Sequence, residues 1–62
     1  MNTKMLREEF LSILNLEERA RHFYEHYIGE VDDETIKKEL VSIRDDEIGH
    51  IKIAKKLIEY VS

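Results

Sequence analysis

Apolar residues recur along this chain at the three- and four-residue spacing of an amphipathic α-helix. The pattern holds over two long segments and is interrupted once, at the stretch GEVDDE near the middle of the chain. We predict a helix over about residues 3–29, a turn over about 29–33 and a helix over about 33–60. Such a short turn makes the helices antiparallel neighbours, so the predicted fold is all-α, a two-helix hairpin forming one domain over residues 1–62.

Short polar side chains stand where the two helices are predicted to begin. Asn2 or Thr3 can cap the first helix, and Asp32 or Asp33 the second, because these side chains accept hydrogen bonds from unpaired backbone N–H groups. The caps therefore support the same boundaries as the apolar spacing.

The two glycines of the chain carry separate predictions. Gly29 follows the first apolar segment and suits the left-handed residue that often ends a helix. Gly49 lies inside the second segment, where glycine costs about 1 kcal/mol relative to alanine. We expect Gly49 to mark a close backbone contact rather than a helix end.

A heptad-like series on each helix predicts the seam between the helices. The series comprises Leu6, Phe10, Ile13, Glu17, Ala20, Tyr24, Tyr27 and Val31, then Ile36, Leu40, Ile43, Glu47, His50, Ala54, Leu57 and Val61. All but three of these positions are apolar or aromatic. The exceptions, Glu17, Glu47 and His50, are all common metal ligands.

These three exceptions are predicted to meet. Glu17 and Glu47 are equally far from the turn, so they face each other in an antiparallel hairpin, and His50 follows one helical turn after Glu47. Two buried carboxylates without a partner are costly, and a bound cation removes that cost. A Glu on one helix and Glu-x-x-His on its neighbour form half of a di-iron carboxylate site in a four-helix bundle.

A second apolar row lies outside the seam series and predicts a partner. It comprises Val41, Ile48, Ile51 and Ile58 on the second helix, with Leu14, Leu16, Phe23 and Ile28 on the first. A homodimer or higher homo-oligomer that closes into a four-helix bundle would cover this row and join two half-sites across a two-fold axis. Four carboxylates then balance two divalent cations; the donors suit iron or manganese, with zinc as a redox-silent substitute.

Composition removes several other classes of function. The chain has 62 residues and no cysteine, so it forms no disulfide and no thiolate metal site. Its net charge of −4 offers no basic surface for nucleic acid. No apolar run approaches the ~20 residues of a membrane span, and the first residues lack the unbroken apolar stretch of a signal peptide. We therefore expect a cytoplasmic protein without membrane or nucleic-acid partners.

The stretch EERARHFYEHY, followed by RDDEIGHIKIAKKL, resembles the ferritin-like superfamily, most closely the half-length, two-helix encapsulated ferritins. That pattern has a Glu, an aromatic pair shortly after it, and Glu-x-x-His further on; here these are Glu17, Phe23 with Tyr24, and Glu47 with His50. The resemblance implies a di-iron ferroxidase site shared between two chains, serving iron storage or detoxification. Rubrerythrin-like peroxide chemistry is a neighbouring possibility.

Alternative residues remain open around this site. Glu18 rivals Glu17 but is out of phase with the seam. Tyr24 is either a hydrogen-bond donor to the ligands or a core residue. Asp46 either accepts a hydrogen bond from His50 or is a solvated charge.

Other charged and imidazole side chains are interpreted as surface residues. His22 and His26 have a chelating i,i+4 spacing but no third ligand nearby. Arg19, Arg21 and the lysine pairs are expected on solvated helix faces.

Two further functions compete with iron oxidation. One is a metal-free hairpin that oligomerises or binds a partner, with the three polar residues determining specificity. The other is a structural zinc or manganese site without redox turnover. Metal-dependent stabilisation separates the first of these from a metal protein, and oxygen consumption separates the second from a ferroxidase.

Overall fold

The computed structural model describes residues 1–62 as two helices and no strand. Helix α1 spans Thr3–Glu30 and helix α2 spans Glu34–Tyr60. They pack side by side along an elongated molecule of 47 × 14 × 14 Å. The predicted helical hairpin is confirmed, and neither helix has the length and apolar character needed to cross a membrane.

Each helix begins at a side-chain cap. The Asn2 side chain accepts a hydrogen bond from the backbone N–H of Met5 at 2.8 Å, and Asp33 accepts one from the N–H of Ile36 at 2.9 Å. Glu34 adds negative charge in the first turn of α2, at the positive end of the helix dipole. Of the alternatives at each position, Asn2 and Asp33 are therefore the capping residues.

The left-handed conformation predicted for Gly29 is wrong, and the close backbone contact predicted for Gly49 is absent from the hairpin, although Gly49 lies inside α2 as predicted. Gly29 lies within α1 and no glycine has a positive φ; the chain leaves the helix at Val31, in extended backbone with φ −80° and ψ 129°. An extended exit leads directly into the Asp33 cap, so no left-handed residue is needed. A Cβ at Gly49 would meet nothing within 4 Å, so no other backbone approaches it.

The predicted seam agrees only in part with the observed contact between the helices, since ten of its sixteen residues are buried or half-buried and six are exposed. Only Ile51 and Ala54 are buried; Ala54 belongs to the predicted seam, whereas Ile51 belongs to the row predicted to lie outside it. Other members of that row are half-buried, namely Leu14, Ile28, Val41, Ile48 and Ile58. Several members of the predicted seam are instead exposed, namely Ile13, Tyr27, Ile36, Ile43, His50 and Leu57. The apolar residues of each helix span an arc that is too wide for one neighbouring helix to cover. Only one edge of each arc therefore contacts the other helix.

The uncovered part of these arcs forms one surface, which we call the apolar face. It consists of Ile13, Leu16, Phe23 and Tyr27 on α1, and Ile36, Ile43, Ile53 and Leu57 on α2, all exposed. Residues of both helices meet on it, because Ile13, Ile53 and Leu57 line the same cavity. Exposed apolar residues of the two helices therefore meet at this cavity.

Candidate metal centre

The two glutamates lie at the middle of the hairpin. Glu47 is at the centre of α2 (Glu34–Tyr60), and Glu17 is within one residue of the centre of α1 (Thr3–Glu30). Side-chain oxygens of both and one ring nitrogen of His50 all lie within 4.8 Å of one another. The convergence predicted from the register is present in the structure.

The carboxylates are left with unsatisfied hydrogen-bonding capacity. The Oε2 atoms of Glu17 and Glu47 are both buried and have no hydrogen-bond partner. The other oxygen of Glu47, Oε1, lies 4.0 Å from Nδ1 of His50, which is too far for a hydrogen bond. Buried acceptors without donors are costly, so this arrangement favours a cation or another donor between the two side chains.

The group is open on one side. The Glu47 side chain is 19% exposed and that of His50 is 54% exposed. Glu17 and His50 line a cavity of about 190 Å³ with Ile13, Ile53, Ala54 and Leu57. This cavity opens onto the apolar face, so whatever covers that face also closes the candidate metal site.

No family model, curated protein or solved structure matches this chain. The assignment of chemistry therefore depends on the residues themselves. Two carboxylates and one imidazole are donors that iron, manganese and zinc accept, and the two orphaned oxygens provide acceptors for the metal's charge. A single hairpin supplies three such donors, which is too few to hold two ions.

The neighbouring candidates lie outside the group. Glu18 is half-buried but its carboxylate does not join the cluster. Tyr24 makes none of the side-chain hydrogen bonds of the chain; its ring packs edge-on against Phe23 at 5.5 Å, as expected of a packing residue. Asp46 is exposed and has no contact with His50 in ion-pair range. A role for Tyr24 beside the metal stays a prediction.

The i,i+4 histidine pair remains on the surface. His22 and His26 are both exposed and belong to no group of three potential ligands. The ring of His26 packs edge-on against Tyr27 with centroids 5.0 Å apart. Their interpretation as surface residues agrees with this placement.

Arg21 is the residue that the sequence interpretation missed. It was expected on a solvated face, but its side chain is half-buried and its Nε atom is buried without a hydrogen-bond partner. Arg21 follows Glu17 by one helical turn, so it belongs to the same strip of the interface as the carboxylates. The i,i+4 position relative to Glu17 was the available signal.

Proposed function

We propose that this protein is a ferritin-like di-iron carboxylate protein that binds Fe(II) between two copies of the chain and oxidises it. The supporting observation is the pair of buried, unpartnered oxygens of Glu17 and Glu47, close to the imidazole of His50. Glu17 and Glu47 serve as carboxylate ligands, and His50 as a terminal nitrogen ligand. Iron storage or detoxification is the corresponding biological role.

In this proposal iron is the substrate and the protein provides ligands and an enclosed site. Two Fe(II) ions give up one electron each, and these two electrons, with two protons from solvent, reduce dioxygen to hydrogen peroxide or hydrogen peroxide to water. The carboxylates favour the more highly charged product, because hard oxygen donors bind a trivalent ion more strongly than a divalent one. Manganese or zinc can occupy the same donors.

The second copy is assigned to the apolar face. Only two residues of the hairpin are buried, and a chain this short rarely supplies more than about 3–5 kcal/mol from its own core. The face runs along both helices, and Phe23 is 56% and Leu16 64% exposed. Covering it with an identical face completes both the hydrophobic core and the donor set.

The two hairpins are arranged with their turns at opposite ends. Because Glu17 and Glu47 lie at mid-height, a two-fold axis perpendicular to the helices aligns the two sites while the helices overlap along their full length. Charge favours the same arrangement. The open half, residues 1–16 and 48–62, carries five basic and three acidic residues, whereas the turn half, residues 18–46, carries five basic and nine acidic ones. Opposed turns place each acidic half beside a basic half.

Metal-dependent stabilisation of the metal-stripped protein tests this function. We expect anaerobic Fe(II) to raise the thermal midpoint of the wild type, at about one metal per chain, because a ligand at 100 times its Kd stabilises by about 2.7 kcal/mol. Glu17→Gln should abolish the rise. The control, Glu18→Gln, removes the same charge from the adjacent residue and should keep it. Admitting oxygen should then produce oxygen consumption in the wild type and Glu18→Gln only.

Two results would contradict iron oxidation as the function. A wild type without any midpoint shift at saturating Fe(II) supports the metal-free oligomerisation module. A shift without oxygen consumption supports a structural metal site that uses the same ligands.

A further inference from the structure

Three buried side-chain atoms of the hairpin have no hydrogen-bond partner, and they are chemically complementary. Glu17 Oε2 and Glu47 Oε2 are acceptors on anionic groups, and Arg21 Nε is a donor on a cationic group. No other side-chain atom of the chain is buried in this unsatisfied state. The donor and the acceptors each lack what the other can provide, and Arg21 lies about one helical turn from Glu17 on α1.

Arg21 is the basic residue best placed to act on the carboxylates. It follows Glu17 by four residues, and a carboxylate one turn before a cation on the same helix is the favourable order for an ion pair. None of the ion pairs within 4.0 Å involves Arg21. Arg44, on the facing helix, already binds Asp45 through Nε at 2.9 Å. Arg21 is thus the uncommitted cation of this region.

We infer that Arg21 is an exchangeable internal counter-ion of the Glu17–Glu47 pair. Arg21 is not paired with the carboxylates in this structure, so this role requires a change of its side-chain rotamers. In that rearranged, metal-free state the guanidinium contacts Glu17 and Glu47 and occupies the oxygens that a metal needs. A divalent cation at the cluster takes those oxygens and releases Arg21. Metal binding is then an exchange of one cation for another, and Arg21 lowers the apparent metal affinity while it stabilises the empty site. This inference rests on the proposed metal function.

The test compares Arg21→Gln with Arg19→Gln. Both remove one positive charge from α1, but Arg19 is exposed, so it reports the long-range effect of charge alone. The readouts are the Kd for Mn²⁺ by calorimetric titration and the thermal midpoint of metal-stripped protein. Arg21→Lys keeps the charge but loses the planar guanidinium, so it should give intermediate values.

The expected result is tighter Mn²⁺ binding together with a less stable empty protein in Arg21→Gln. If Arg21 is paired with the carboxylates in about nine-tenths of the metal-free molecules, removing this pairing lowers the Kd about tenfold. Arg19→Gln should change the Kd by no more than about threefold, the size of a weakly screened surface charge effect.

Different outcomes separate this inference from the proposed function. Equal Kd values for the two glutamine variants, or weaker binding by Arg21→Gln, overturn the exchange while metal binding by the wild type stands. Absence of Mn²⁺ binding by the wild type and by every variant overturns both.

Discussion

At the scale of single residues, the carboxylates of Glu17 and Glu47 are acidic groups placed at the middle of the hairpin. They stand at the centre of an interface that is otherwise mostly apolar, and each keeps one buried oxygen without a partner. Their position could be predicted from the sequence because both interrupt an apolar series at equal distances from the turn. The i,i+4 spacing of Arg21 from Glu17 is a weaker signal, since an arginine one turn from a glutamate is most often part of a solvated surface pair.

His50 gives a prediction at this scale. Replacing it by alanine removes the only nitrogen donor of the cluster. Loss of a residue that merely orients a metal ligand already weakens metal binding about tenfold or more, so His50→Ala should weaken Mn²⁺ binding by at least about tenfold. His26→Ala removes an exposed imidazole outside the cluster and should leave the Kd unchanged. The measurement is calorimetric titration of both variants. Equal Kd values for His50→Ala and wild type would exclude His50 as a ligand.

At the scale of the helices, the caps and the short turn account for the hairpin. Asn2 and Asp33 each satisfy a backbone N–H at a helix start, which is typically worth about 1 kcal/mol. The helices were predictable because each has a long apolar series and no proline. The glycine predictions failed because glycine permits a left-handed conformation or a close contact without requiring either one.

Gly49 offers a prediction about α2. Its site is open, because a Cβ added there would have nothing within 4 Å, so Gly49→Ala should stabilise the protein by about 0.5–1 kcal/mol through reduced backbone entropy of the unfolded chain. For a domain of this size the thermal midpoint should rise by several degrees, compared at one protein concentration. Gly29→Ala is the matched control. A Cβ there also meets nothing within 4 Å, but Gly29 is the second-last residue of α1, so this substitution should stabilise the protein less than Gly49→Ala. A lower midpoint for Gly49→Ala would mean that another chain packs against Gly49.

At the scale of the whole molecule, the hairpin combines one apolar face with opposite charge at its two ends. Neither feature matters for a monomer, in which the face remains in water. In a dimer with opposed turns, the face is covered and the basic and acidic halves of the two copies lie together. The mid-height position of Glu17 and Glu47 is necessary for this arrangement, because any other height would separate the two half-sites.

Spin labels can determine the orientation of the two copies. The chain has no cysteine, so a single Asp32→Cys variant carries one label per copy at the turn. Opposed turns predict a separation near the 47 Å length of the hairpin. Turns at the same end predict roughly 10–20 Å, one or two interhelical spacings. Pulsed electron–electron distance measurement distinguishes the two.

A label near mid-height provides the control for this measurement. Lys52→Cys is exposed and should give a much shorter distance than Asp32→Cys when the turns are opposed. A short distance from Asp32→Cys would contradict the proposed orientation. No dipolar coupling from either label would contradict the dimer.

By itself, the sequence determined two helices, their antiparallel pairing and the level at which Glu17, Glu47 and His50 meet. These features depend on spacing along each helix and on distance from the turn, which residue numbers contain. Only the tertiary structure decided which edge of each apolar arc faces the neighbouring helix. Helical periodicity relates the residues of one helix to each other, but it leaves the rotation of the helix about its own axis open when the apolar arc is wider than one neighbour. That rotation exposed the apolar face, moved His50 to the edge of the cavity and placed Arg21 inside the interface.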